Sequence, residues 1–179
     1  MQPITKRWAR LGRTNPRMLA HPSDAGVCLS TFVVARRGDS VLLCRPHGSD
    51  AWPRKGGYPK HLAVQLEKEG TWLIPATHLL MEESPDHAAQ RIAREWAGLR
   101  GHPRFLMVQS HTRPHWLIPW RKSAKGNHWD LCFVYDLAVR SIPKRKPWWS
   151  EMRFVPFSEV HRMKIGRGHL DILEEAGYV

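Results

Sequence analysis

Residues 72–99 read WLIPATHLLMEESPDHAAQRIAREWAGL. The apolar run at the start has the composition of a strand. Ser84-Pro85 then signals a helix start, since serine caps a helix N-terminus well and proline suits the first helical position. Gly98 supplies a stop. A step of about 100° per residue from Pro85 places positions 92, 95 and 96 on one arc of the helix. That arc holds Ile92, Glu95 and Trp96, with Ala88 beside it and Ala89 and Ala93 extending the apolar surface. His87, Gln90, Arg91 and Arg94 fall on the opposite side. The helix is amphipathic, and Glu95 is the lone carboxylate on its apolar arc.

The spacing of Glu83, Arg91, Glu95, Gly98 and Leu99 resembles the Nudix box, a strand–loop–helix–loop signature. That pattern runs Gly, five residues, Glu, seven residues, then Arg-Glu-apolar-any-Glu-Glu-any-Gly-apolar. Thr77 stands at the Gly position, and Ile92 and Trp96 replace two of the glutamates. The resemblance implies an α/β fold, a Nudix-like α/β/α sandwich around a mixed β-sheet. It also implies Mg²⁺ on the box carboxylates, polarising a diphosphate and activating water. Carried onto this chain, the catalytic set is Glu83, Glu95 and Arg91, and the metal ligands are Glu95 and Glu83. Glu82, Asp86 and Asp130 are further acids within the domain that stand available to assist. A lone helical carboxylate holds Mg²⁺ weakly, because that ion sheds water reluctantly. The competing reading of Glu83 and Arg91 is an internal ion pair that fastens the loop to the helix.

The resemblance extends over residues 26–177. GVCLSTFVVARRGDSVLLCR, residues 26–45, reads as a β-hairpin, Val27–Ala35 and Val41–Cys44 around a Gly-containing turn. Trp129–Ala138 reads as a buried strand, Glu151–Val160 as a closing strand and turn, and Ile165–Ala176 as a last helix stopped by Gly177. Residues 1–24 read as a basic N-terminal extension. Residues 25–179 read as a single domain with loop insertions at 46–70 and 110–128. Within the first insertion, His61–Glu69 reads as a short strand or helical turn. Long loops in compact domains are often functional.

A chain of 179 residues with 42% hydrophobic content builds one core without staples. No run is long and apolar enough to span a bilayer, and the basic N-terminus lacks the apolar segment of a signal peptide. Cys28, Cys44 and Cys132 each sit inside a predicted strand, which favours buried free thiols over a disulfide or metal site. These features point to a cytoplasmic protein. The charge of +12 is far from balanced, with 28 Lys and Arg against 16 Asp and Glu. The basic residues concentrate in 1–20, in RSIPKRK at 140–146, and in Arg121, Lys122 and Lys125. Such a surface favours polyanionic partners; the alternative is a generally basic composition without a ligand.

Nine tryptophans are several times the usual share. Trp72 and Trp129 lie in apolar strands. Trp8, Trp52, Trp116, Trp120, Trp148 and Trp149 sit beside cations, an arrangement that stacks bases and neutralises phosphates, or else fills gaps between loop and core. In Nudix proteins the substrate lies between the box and neighbouring loops. That resemblance makes Arg45, Trp52, Trp116, Trp120 and Arg121 the substrate-binding candidates. His111, His115 and His128 cluster around one predicted loop but lack the cysteine partners common in zinc sites. Three functions follow as expectations. The first is a Nudix-fold protein that binds a nucleotide or RNA with Mg²⁺-dependent hydrolysis weak or lost. The second is a divergent hydrolase of nucleoside-diphosphate-linked substrates. The third is an interaction module presenting Ile92 and Trp96 to a protein partner; a homodimer is also within the family's habits.

Overall fold

A computed structural model of the protein describes residues 27–49, 60–80, 82–114, 127–166 and 168–179, the side chains of 27, 28, 111–114 and 127–129 excepted. Strands β1 (Val27–Arg37) and β2 (Ser40–Pro46) form the hairpin read from the sequence. Its turn is Gly38-Asp39, and Gly38 adopts φ +61°, the conformation that a tight hairpin turn reserves for glycine. Helix α1 (Lys60–Lys68) follows, then β3 (Ala76–His78), α2 (Pro85–Arg91), a π-helical turn (Ile92–Trp96), β4 (Arg104–Pro114), β5 (Asn127–Ala138) and β6 (Trp149–Pro156). A 3₁₀ turn (Phe157–Arg162) and α3 (His169–Glu175) close the chain.

The described strands make one six-stranded sheet in the order β4-β5-β1-β2-β6, with β3 paired to the first part of β1. β1 and β5 run parallel over Val27–Arg36, and the other pairs are antiparallel, so the sheet is mixed. Strand periodicity then sorts the core into two layers. Val33, Ala35, Leu42, Cys44, Tyr135 and Leu137 face the box-helix side, where Ala89, Ile92 and Trp96 pack on them. Phe32, Val34, Val41, Leu43, Cys132 and Val134 face α3, meeting Ile172 and Leu173. A sheet covered on both faces needs apolar residues at successive positions, which is why FVVA and VLLC are continuous runs. The α/β/α sandwich around a mixed sheet is the observed architecture.

Three boundaries differ from the sequence reading. The loop expected at 110–128 is partly sheet, because the β4–β5 ladder continues to Pro114 opposite Asn127. Its polar residues look like loop, but backbone pairing at a sheet edge does not require apolar side chains. The run 72–80 is only briefly a strand. Pro75 interrupts it, leaving Trp72 and Leu73 in isolated bridges to Ile165 and Cys44. The last helix begins at His169 rather than Ile165, since Gly166 donates its N–H to the Trp72 carbonyl at 2.7 Å and Gly168 takes a left-handed φ of +80°. Cys44 and Cys132 are buried free thiols, as expected, and burial pushes the Cys44 thiol up.

Two buried polar groups tie the α3 layer to the sheet. Asp136 accepts from Tyr178 Oη at 2.9 Å and from Arg36 Nη2 at 2.8 Å, with Arg36 Nε as a second, shorter donor. His169 is 4% exposed and its Nδ1 accepts from the Ile74 N–H at 3.1 Å. Burial pushes the imidazole pKa down from 6.5 to about 3, so the ring is neutral in the fold. The unfolded chain therefore binds the extra proton between those two values. Stability is intact above pH 6.5 and falls as the pH drops from there toward 3. Chemical denaturation at pH 7.5 and pH 5.0 is expected to show about 2 kcal/mol of this loss from His169 alone, and His169→Gln is expected to flatten that part of the slope.

Candidate functional site

The box begins with the loop 79–84, in which Glu82 takes φ +62°. That left-handed turn brings Glu83 back over the helix. Glu83 Oε1 accepts from Arg91 Nε at 2.6 Å, and Oε2 accepts from Arg91 Nη2 at 2.7 Å and from the Leu80 N–H at 2.9 Å. Arg91 Nη2 also donates to the His78 carbonyl at 3.2 Å. The two side chains are only 11% and 12% exposed. A bidentate guanidinium–carboxylate pair of this kind is among the stronger polar contacts in proteins. Both oxygens of Glu83 are committed to the loop-to-helix brace, which is the internal-ion-pair reading of these residues. Ser84 caps α2, its Oγ accepting from the His87 N–H at 3.2 Å, with Pro85 at the first helical position.

Beyond Arg91 the helix widens. The Ala97 N–H bonds to the Ile92 carbonyl five residues back, at 2.9 Å, and the Leu99 N–H bonds to the Ala93 carbonyl at 2.8 Å. Gly98 stops the helix at φ +64°. A π turn spreads the residues around the axis differently from an α-helix. The arc that an ideal wheel assigns to positions 92, 95 and 96 is therefore split. Ile92 and Trp96 are fully buried, whereas Glu95 is exposed. Trp96 packs against Trp148 and Trp149 with ring centroids 5.9 and 6.2 Å away. Its carbonyl accepts both of their indole N–H groups, at 3.3 and 2.8 Å. Ile92 and Trp96 are thus a dry core contact, against the docking-surface reading, and Trp148 and Trp149 take the gap-filling role that was the alternative to ligand contact.

Two further acids of the neighbourhood are engaged separately, while Glu82 is exposed. Asp86 accepts from Tyr135 Oη at 2.7 Å, and burial, then the Asp86 carboxylate, pushes that phenol up. Asp130 accepts from Ser30 Oγ at 2.9 Å. Mg²⁺ requires an octahedron of oxygens with at least one or two accessible carboxylates. Among the described residues, no group of three or more His, Cys, Asp or Glu side chains is arranged to hold a metal ion. With Glu83 inside the brace and two box positions apolar, the residues on this helix do not fit the metal that the signature implies.

Arg45 lies near the end of β2. Its guanidinium sits over the Trp72 ring at 5.2 Å and 3.9 Å from Glu151, and Arg153 covers the same indole at 4.6 Å. Trp52, Trp116, Trp120 and Arg121 lie outside the described residues, as does His115.

Sequence reasoning missed a groove at the C-terminal end of the box helix. Arg94, Arg100, His102, Lys144 and Lys146 line a space of about 500 Å³ together with Gly98, Leu99 and Gly101. The segment 144–146 sits tightly on the helix end. A Cβ at Gly98 would lie 2.8 Å from the Lys144 carbonyl oxygen. The RSIPKRK run was a visible signal of charge, but its approach to the box helix is a tertiary contact with no local signature.

No family model and no curated protein sequence matches the chain. Solved structures do match it in fold. A MutT protein from Methanosarcina mazei Go1 superposes with a TM-score of 0.60 at 15% identity, covering 84% of this chain and 93% of its own. The NUDIX domain of Shewanella oneidensis NrtR, solved with ADP ribose, gives 0.57 at 16% identity and covers 92% of both chains. A NUDIX hydrolase from Nitrosomonas europaea gives 0.56 at 17% identity over 84% and 90%. The chain has the Nudix fold.

Proposed function

We propose that this Nudix-fold protein binds a nucleotide or RNA through its basic, tryptophan-rich surface, and that its box helix serves as scaffold rather than as a Mg²⁺ site. The observation that carries the reading is the fate of the box carboxylates. Glu83 is held on both oxygens by Arg91 and the Leu80 amide, and positions 92 and 96 are isoleucine and tryptophan inside the core. A helix so arranged supplies rigidity, not a ligand set for a hard cation. The charge of +12 and the segments carrying Trp52, Trp116, Trp120 and Arg121 supply the affinity for phosphate and base. Arg45 belongs to the same set of binding candidates. Binding of a nucleotide or a short RNA in the expected mode weakens steeply and log-linearly as salt rises. An affinity indifferent to salt contradicts a phosphate-dominated interface.

Glu95 favours a second reading, a divergent hydrolase of diphosphate linkages, because it is a box carboxylate that stands on the surface. On that reading Glu95→Gln abolishes Mg²⁺-dependent turnover. On the binding reading the same substitution leaves RNA or nucleotide affinity unchanged.

A further inference from the structure

The groove at the end of the box helix faces away from the role just given to the helix itself. Arg94, Arg100 and His102 come from the helix end and the turn after it. Lys144 and Lys146 come from the segment before β6. Cations in a last helical turn also complement the helix dipole, which accounts for Arg94. It does not account for two lysines delivered by another part of the chain. Nor is the convergence loose. The Lys144 carbonyl lies 2.8 Å from where a Cβ at Gly98 would stand, and Leu137 Cδ1 lies 2.8 Å from where one at Gly101 would stand. Glycine at position 98 lets the 144–146 segment close on the helix end, and glycine at 101 seats the following turn against β5.

The lining also says what the groove would take. Among the described residues it contains no Asp or Glu, so none of their carboxylates neutralises the cations from within. Among the described residues it contains no Trp, Tyr or Phe, and Leu99 is 1% exposed, so these residues offer no platform for stacking a base. Bidentate guanidinium forks and lysine point charges recognise phosphate oxygens without reading sequence. The space of about 500 Å³ is many times the roughly 30 Å³ that one water occupies in the liquid, so it admits more than a single ion.

We infer that this groove is a phosphate-backbone site for RNA, formed by Arg94, Arg100, His102, Lys144 and Lys146. The inference deepens the nucleotide- or RNA-binding reading and rests on it. RNA that crosses the groove is held by its phosphodiesters, while any contact with bases comes from elsewhere on the surface. Free polyphosphate shares the chemistry but not the length, and the two are separable by experiment.

The test uses the full chain and a short fluorescein-labelled oligouridylate, with anisotropy read over a series of KCl concentrations. Arg100→Glu with Lys144→Glu reverses two exposed groove charges. Lys68→Glu with Arg162→Glu makes the same charge change at exposed positions outside the lining. The groove pair is expected to weaken binding at least tenfold and to lower the salt slope by about 1.4, the value of two single-strand phosphate contacts. The control pair is expected to shift affinity less than threefold. The milder pair Arg100→Gln with Lys144→Gln repeats the measurement should the reversal impair folding, and is expected to weaken binding in the same direction. Equal losses in groove and control variants overturn the site, leaving only bulk charge. Displacement of the oligonucleotide by ATP or tripolyphosphate at matching concentrations overturns RNA as the occupant. RNA binding that is unaffected by either groove pair overturns the site while sparing the proposed function. Absence of RNA and nucleotide binding by the unaltered chain overturns both.

Discussion

Trp96→Ala is expected to lower the stability of the fold by about 3–5 kcal/mol, the usual cost of truncating a fully buried tryptophan. For a chain of this size that corresponds to a melting temperature lower by about 10 °C. The size of the effect follows from what the indole touches. Trp96 is fully buried and its ring is flanked by Trp148 and Trp149. Removing it opens a cavity between the box helix and the segment leading into β6, and undermines two indole bonds to its own carbonyl. Thermal denaturation with urea titration at neutral pH measures the change. A Trp96→Ala protein of unchanged stability that loses a binding partner would restore the docking-surface reading that the core contact argues against.

The second large effect belongs to the brace. Glu83→Ala leaves the Arg91 guanidinium at a site only 12% exposed with its carboxylate partner gone, and Arg91→Ala strands the carboxylate. Breaking one side of a buried ion pair costs about 3–5 kcal/mol, chiefly because the survivor is left uncompensated. Each single variant is therefore expected to be strongly destabilised. The double variant is expected to cost much less than the sum, since neither charge is then stranded. The cycle separates two roles for Glu83. A residue kept for metal binding is expected to leave stability nearly unchanged, or even raised, when it is removed. A residue kept for the loop–helix brace is expected to unfold the domain in denaturant well before the parent protein. Additive single losses in the cycle would show that the two residues act independently.

The parts of this fold that were legible in the sequence are those fixed by local chemistry. Ser84-Pro85 and Gly98 set the ends of the box helix where the structure has them. The doubled apolar runs around Gly38-Asp39 gave a hairpin buried on both faces. The spacing of Glu83 and Arg91 allowed an ion pair as well as a metal site, and the geometry of the loop decided between them through the left-handed turn at Glu82. What was not legible depends on distant partners. The wheel places Ile92, Glu95 and Trp96 together only if the helix stays α-helical. The π turn, with the Trp96 carbonyl taken by indoles 52 and 53 residues away, separates them. The polar end of β4 reads as loop because its pairing is backbone to backbone. The basic groove is likewise a meeting of two segments, and although the charge of RSIPKRK is visible in the sequence, its meeting with the helix end is not. Its four Lys and Arg side chains and His102 acquire a shared geometry only when Gly98 lets residues 144–146 against the helix end.

Glu95 is where the binding and hydrolytic readings part. The most direct measurement is isothermal titration of Mg²⁺ into the purified protein, with and without a non-hydrolysable dinucleoside polyphosphate. Nucleotide binding that is indifferent to Mg²⁺, with no metal affinity gained in its presence, is the predicted result. Mg²⁺ binding that strengthens with the nucleotide and is lost in Glu95→Gln would contradict the scaffold reading of the box and assign this chain a working hydrolytic site.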